Sequence, residues 1–188
     1  MRKGFTLVEL LIVIVVIGIL SAMMMLSSTE AVSSARAADI ISDLRNLKTA
    51  ALAFYMDNID EVDAVEGNIF VDGTASSDYK DTYDSYVARV FTYLGNADKI
   101  RVDNTDDKEE YRYSFGSETH TSDTWYGGAW YVWCKVTDDR VREKLASRAV
   151  AVGLCGSSTA YHGNPDNVKK PYQALKTDDY KYVGLRIK

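Results

Sequence analysis

An α+β fold is predicted, in which a long N-terminal helix, membrane-spanning in its first half, packs by its second half on an antiparallel β-sheet head with two shorter helices. Three observations predict it. From Phe5 to Leu26 the chain offers about 22 residues, or about 33 Å of helix, with Glu9 as the one ionisable group. Beyond that run, Ile40, Leu44, Leu47, Ala51 and Phe54 recur at spacings of three and four, the signature of a helix with one face on a core. Further on come short runs rich in β-branched and aromatic residues, separated by turn-rich segments too short for anything but antiparallel links.

The first run has Leu, Ile and Val on every side, so a helix built from it has no polar stripe and belongs in lipid or protein. Arg2 and Lys3 precede it, as expected of a cytoplasmic flank. A secretory signal peptide also starts basic, but its apolar region is usually about 7–15 residues, shorter than this one. The segment after Leu26, SSTEAVSSARAAD, contains no Gly or Pro, so the helix continues to about Met56 and stops at the turn-favouring Asp57-Asn58. Residues 58–81 read as an acidic, Gly-punctuated connecting loop.

Val87, Val90, Phe91 and Leu94 share a face and predict a short second helix, capped by Asp84 or Ser85 and ended by Gly95. Strands are predicted over 99–103, 111–115 and 129–136, the last reading AWYVWCKV. Its alternation predicts one aromatic set in the core and the other, with Trp125 and Tyr126 nearby, available for subunit contacts or a binding patch. A third helix is predicted over 138–152, with Val141, Leu145, Ala149 and Val152 inward, Arg140, Arg142, Glu143 and Lys144 mostly away, and Gly153-Leu154 as its cap. A polar loop with Pro165 and Pro171 leads to a last strand alternating Val183, Leu185 and Ile187 toward the core.

With 188 residues there is room for one membrane-anchored domain of ordinary size. A formal net charge of −5 argues against a generally basic nucleic-acid-binding surface. Cys134 and Cys155 both lie beyond the membrane run, in what basic-end-inside threading makes an oxidising compartment, so a single disulfide is expected. Closing about 20 residues, it would contribute about 3 kcal/mol. Pairing a cysteine with His120 or His162 for catalysis has no spacing to support it, and we expect no enzyme chemistry and no cofactor.

The segment Gly4-Phe5-Thr6-Leu7-Val8-Glu9 followed by LLIVIVVIGIL resembles the N-terminal processing and methylation signal of type IV pilins and of the pseudopilins of type II secretion. The resemblance covers about the first 26 residues strongly and the remainder by architecture, which matches the pilin-like plan of a helix laid on a sheet. It implies a leader over 1–4, a transmembrane and polymerisation helix over 5–26, its amphipathic continuation over 27–57 and a globular α+β head over 58–188. It implies cleavage between Gly4 and Phe5 by a prepilin peptidase, N-methylation of Phe5 by the same peptidase/methylase, and pairing of Glu9 with the Phe5 ammonium of a neighbouring subunit. Loss of Arg2 and Lys3 with the leader takes the side-chain charge to −7.

Implied partners are copies of the chain and other pilins in a filament, an inner-membrane assembly platform and the lipid bilayer. The implied location is the bacterial inner membrane, single-pass with the head outside the cytoplasm, and then an extracellular or periplasmic filament. Two features depart from the family pattern. Leu26 stands where such pilins commonly carry proline, and more than 30 residues follow Cys155, whereas the family's usual disulfide closes near the chain end. Major pseudopilins hold calcium in the head; Asp103, Asp106 and Asp107 offer hard oxygen ligands but lack EF-hand spacing, so we read them as solvated carboxylates. The rivals to a filament-body subunit are a minor or tip pilin that binds DNA or a surface, and a membrane-anchored enzyme or binding module. A tip subunit can dispense with Glu9, so its presence leans toward the body.

Overall fold

The computed structural model describes residues 5–60, 85–95, 113–117, 129–157, 172 and 181–187. Helix α1 runs unbroken over Leu7–Asp57, through Leu26. Its first part is bare: residues 5–24 and 28–32 are all exposed, and burial begins at Ser33. From there Ala37, Ile40, Leu44, Leu47, Ala51 and Phe54 are buried, so the predicted stripe is the core-facing edge of the helix. Asn58 ends α1, its backbone N–H and side-chain amide both donating to the Phe54 carbonyl, at 3.1 and 2.8 Å.

The second helix, α2, is helical over residues 85–91 and tightens into turns in which Tyr93 and Leu94 donate to carbonyls three residues back. Arg89 lies over the Phe54 ring at 5.0 Å and donates to Asn58 at 2.7 Å, fastening α2 to the head end of α1. The third, α3 (Asp139–Val152), is capped by Asp138, whose Oδ1 accepts from the backbone N–H groups of Arg140 and Val141. It ends at Gly153, whose φ of 80° is the left-handed conformation that favours glycine. Val141, Leu145 and Ala149 are buried as predicted; Arg142 is buried too, against expectation, where it pairs with Asp139.

Four antiparallel strands, β1 (Tyr113–Ser117), β2 (Trp130–Lys135), β3 (Cys155–Ser157) and β4 (Tyr182–Arg186), form one sheet in the order β1-β2-β4-β3. The register sets the faces. Tyr113, Cys134 and Val183 stand in one row, Phe115, Val132 and Leu185 in another, and both rows join α1 in the main core. The intervening rows place Tyr131, Trp133 and Cys155 on the opposite face in a second buried cluster. Alternation along β2 is therefore as predicted, but Tyr131 and Trp133 are not available for subunit contacts: they stack at 5.2 Å and are almost wholly buried. Trp133 lies across Gly184 of β4, where a Cβ would run into the indole and the Val132 carbonyl. Strand β3 is not among the strands that the sequence predicts. The strand expected over 99–103 lies outside the described residues, as does most of the loop expected over 58–81.

Candidate functional site

The site begins where α1 begins. Thr6 is extended, with φ −81° and ψ 149°, and serves as N-cap: its Oγ1 accepts from the Glu9 backbone N–H at 3.3 Å. Glu9 reaches back, its Oε2 accepting from the Thr6 backbone N–H and from Thr6 Oγ1, both at 2.8 Å. This is a capping box, which satisfies helix-end donors that hydrocarbon would leave without partners. Thr6 was not singled out as a functional residue from sequence, although its spacing from Glu9 carries the signal. Both bonds to the carboxylate fall on Oε2, and Oε1 accepts from no described residue. Phe5 is 87% exposed, so the side on which a processed N-terminus would lie is open. Gly4, the other residue of the expected cleavage site, lies outside the described residues.

Above the cap, the first half of α1 is apolar enough to cross a membrane, with an 18-residue window of mean hydropathy 2.8 and no part of it buried in the chain. Leu10, Ile14, Ile17 and Leu20 are each more than half exposed. Exposure of this many large apolar side chains in water is untenable for a soluble chain, so this surface requires lipid or other helices around it.

The cysteines do not form the expected bridge. Both are buried thiols with no disulfide between them. Cys134 pairs with Val183 and faces α1, whereas Cys155 pairs with Gly184 and faces the Trp133 side. With β4 between them they stand two strands apart, about 10 Å, with side chains on opposite faces, beyond the reach of a disulfide at about 7 Å. Burial pushes the Cys134 thiol far above its usual range. Beside it the Tyr113 phenol is driven up by burial, by the charge a Cys134 thiolate would carry, and by the 2.8 Å bond it donates to Asp43 of α1. This group ties the sheet to α1 and has no open approach.

An open cleft of about 350 Å³ lies between α1 and the end of α2, lined by residues including Asn46, Thr49, Tyr93 and Leu94. Tyr93 donates to Asp57 at 2.9 Å, a bond that raises its pKa, and among the described residues the lining holds no acid, base or nucleophile set for catalysis. Among the described residues no cluster of three metal-ligating side chains occurs. Asp103, Asp106, Asp107, His120, His162, Trp125 and Tyr126 all lie outside them.

One family model matches the chain, over the stretch that holds the capping box and the start of the bare helix. Residues 1–25 match the model of the prokaryotic N-terminal methylation motif, the type IV pilin and pseudopilin signature. Searches of curated proteins and of solved structures give no match to this chain. The methylation motif and the apolar helix fit a single-pass protein of the inner membrane, processed by prepilin peptidase, and the helix with its antiparallel sheet is consistent with a pilin-like fold.

Proposed function

We propose that the chain is a non-enzymatic structural subunit that is cut between Gly4 and Phe5, methylated on Phe5, and assembled through α1 into a type IV pilus or a type II secretion pseudopilus. The carrying observation is the continuity of the methylation motif with one 51-residue helix, apolar to Leu26, exposed over residues 5–24 and 28–32, and joined to a folded head from Ser33 onward. In this reading the bare half crosses the inner membrane with the head outside the cytoplasm, and in a filament the same apolar surface packs on α1 of neighbouring copies.

Glu9 has two partners in turn. In the single subunit it caps its own helix through Thr6. In a filament its carboxylate meets the Phe5 ammonium of an adjacent copy, and each removes the other's cost in a low-dielectric interior. Its presence favours a subunit of the filament body over one at the tip. General nucleic-acid binding is not part of this reading, given a net charge of −5. Mechanically sheared filaments from the native host test it: mass spectrometry should find this chain there, beginning at methylated Phe5. A chain confined to the membrane fraction, or one retaining residues 1–4, would overturn it.

A further inference from the structure

Helix α3 is placed at an unusual level. Arg148, near its C-terminal end, donates to Ser34 of α1 at 2.8 Å, while Asp138, its N-cap, lies 3.8 Å from Arg36. These contacts are about 15 Å apart along α3 but only about 3 Å apart along α1. At about 100° per residue, Ser34 and Arg36 also flank the buried Ser33–Ala37 edge on opposite sides. Helix α3 therefore lies across α1, at the first level where α1 is covered. That level is about 10 Å above Leu26, the end of the apolar run. The headgroup layer beyond the hydrocarbon is about 5–8 Å deep on each side, so α3 runs along its upper edge.

The circumference of α3 is sorted by charge. Arg142 turns toward Tyr172, which packs on Gly156 of β3; Leu145 enters the core; Arg148 reaches α1. Next around the helix, past α1 and away from the sheet, come Lys144, Ala151 and Arg140. Among the described residues everything that α1 buries lies at or above this level, so that side faces back along α1 toward the apolar run. Arg140, Lys144 and Arg148 thus form an i, i+4, i+8 basic row along it, Arg140 exposed and the other two half-buried. Asp139, Glu143 and the 80% exposed Val150 take the outward side. Glu30 is the acid on α1 in the layer below.

We propose that the underside of α3 is a lipid-headgroup binding surface, on which Arg140, Lys144 and Arg148 hold the phosphates of anionic phospholipids while the subunit resides in the membrane. The chemistry is charge complementarity at the right height, with long side chains that reach down several ångströms while their stems stay on the helix. It matters because the chain as a whole is acidic and would otherwise be repelled by an anionic bilayer. The docked row fixes the head's tilt over the membrane and is released as a subunit is lifted into a filament.

The inference rests on α1 spanning the bilayer. To test it, the full chain carrying Ala151→Cys is labelled with a nitroxide, which is selective because Cys134 and Cys155 are buried. It is then reconstituted into phosphatidylcholine vesicles with or without phosphatidylglycerol. Collisional accessibility should place the label at the headgroup layer only when phosphatidylglycerol is present and salt is low. Arg140→Gln with Lys144→Gln, which leaves the Arg148–Ser34 contact intact, should weaken docking by roughly 25-fold, about five-fold for each charge. Equal exposure of the label in both vesicles would overturn the proposal. So would shielding that appears in both lipids and grows with protein density, which would mean that a second copy covers the face. Release of the chain by an alkaline wash would instead overturn the membrane-spanning reading, and the inference with it.

Discussion

Glu9 is the helix cap and, in the proposed filament, the assembly charge, and single substitutions separate the two roles. Glu9→Gln keeps an acceptor for Thr6 but not the charge, whereas Glu9→Leu removes both. If pairing with Phe5 drives assembly, both variants insert into the membrane as well as the parent and both fail to polymerise. Breaking one side of a buried pair costs about 3–5 kcal/mol, or roughly two to three orders of magnitude per added subunit. Parental amounts of either variant in sheared filaments would refute the pairing. The cysteines give a second residue-scale prediction: in the folded chain neither thiol should label, and in denaturant without reductant both should. A disulfide would leave none to label in either condition. The row logic behind this was not legible from sequence, because it depends on β4, remote in the chain, inserting between the two cysteine-bearing strands.

At the scale of elements, what was legible is what short-range physics decides. Spacings of three and four along α1, the Gly153 stop and the alternation of Val183, Leu185 and Ile187 all reappear where local pattern put them. What was missed depended on distant partners: β3, whose three residues are too short to show a period, and the burial of Arg142, which faces Tyr172, remote in the chain. Gly184→Ala should be costly although Ala loses less backbone freedom than Gly in a strand, because its Cβ would meet the Trp133 indole and the Val132 carbonyl. A loss of about 1–3 kcal/mol in denaturant unfolding is expected, with Trp133 fluorescence altered. Packing on α3 and β3 also sets a pH limit. Burial, with a smaller push from Asp139 and an opposing pull from Arg142, raises the Tyr172 phenol to about 12. The unfolded chain gives up that proton first, near its ordinary pKa of about 10. The stabilisation is thus fully present below about pH 10 and lost as pH rises through about 12. Tyr172→Phe should flatten the fall in melting temperature over that window, and an unchanged slope would show that another group sets it.

For the whole molecule, the strand order has a consequence in time. The two central strands are β2 and β4, and β4 alone joins β3 to the rest, yet it is made after every other described element. Until β4 is made, the stripe of α1 from Ile40 to Phe54 has β1 and β2 to cover it but neither Val183 nor Leu185. The head therefore closes late, as the final segment slides between two strands already waiting, and long-range pairings of this kind form slowly. Until then an apolar groove and two unpaired strand edges are open to any neighbouring chain in the same crowded membrane. Deleting residues 182–188 should leave a subunit that still inserts but is cleared by envelope proteases, detectable as a short half-life in pulse-chase with membrane insertion unchanged. Quality control of the subunit would then rest on one strand: only a chain whose β4 has paired with both β2 and β3 presents a finished head.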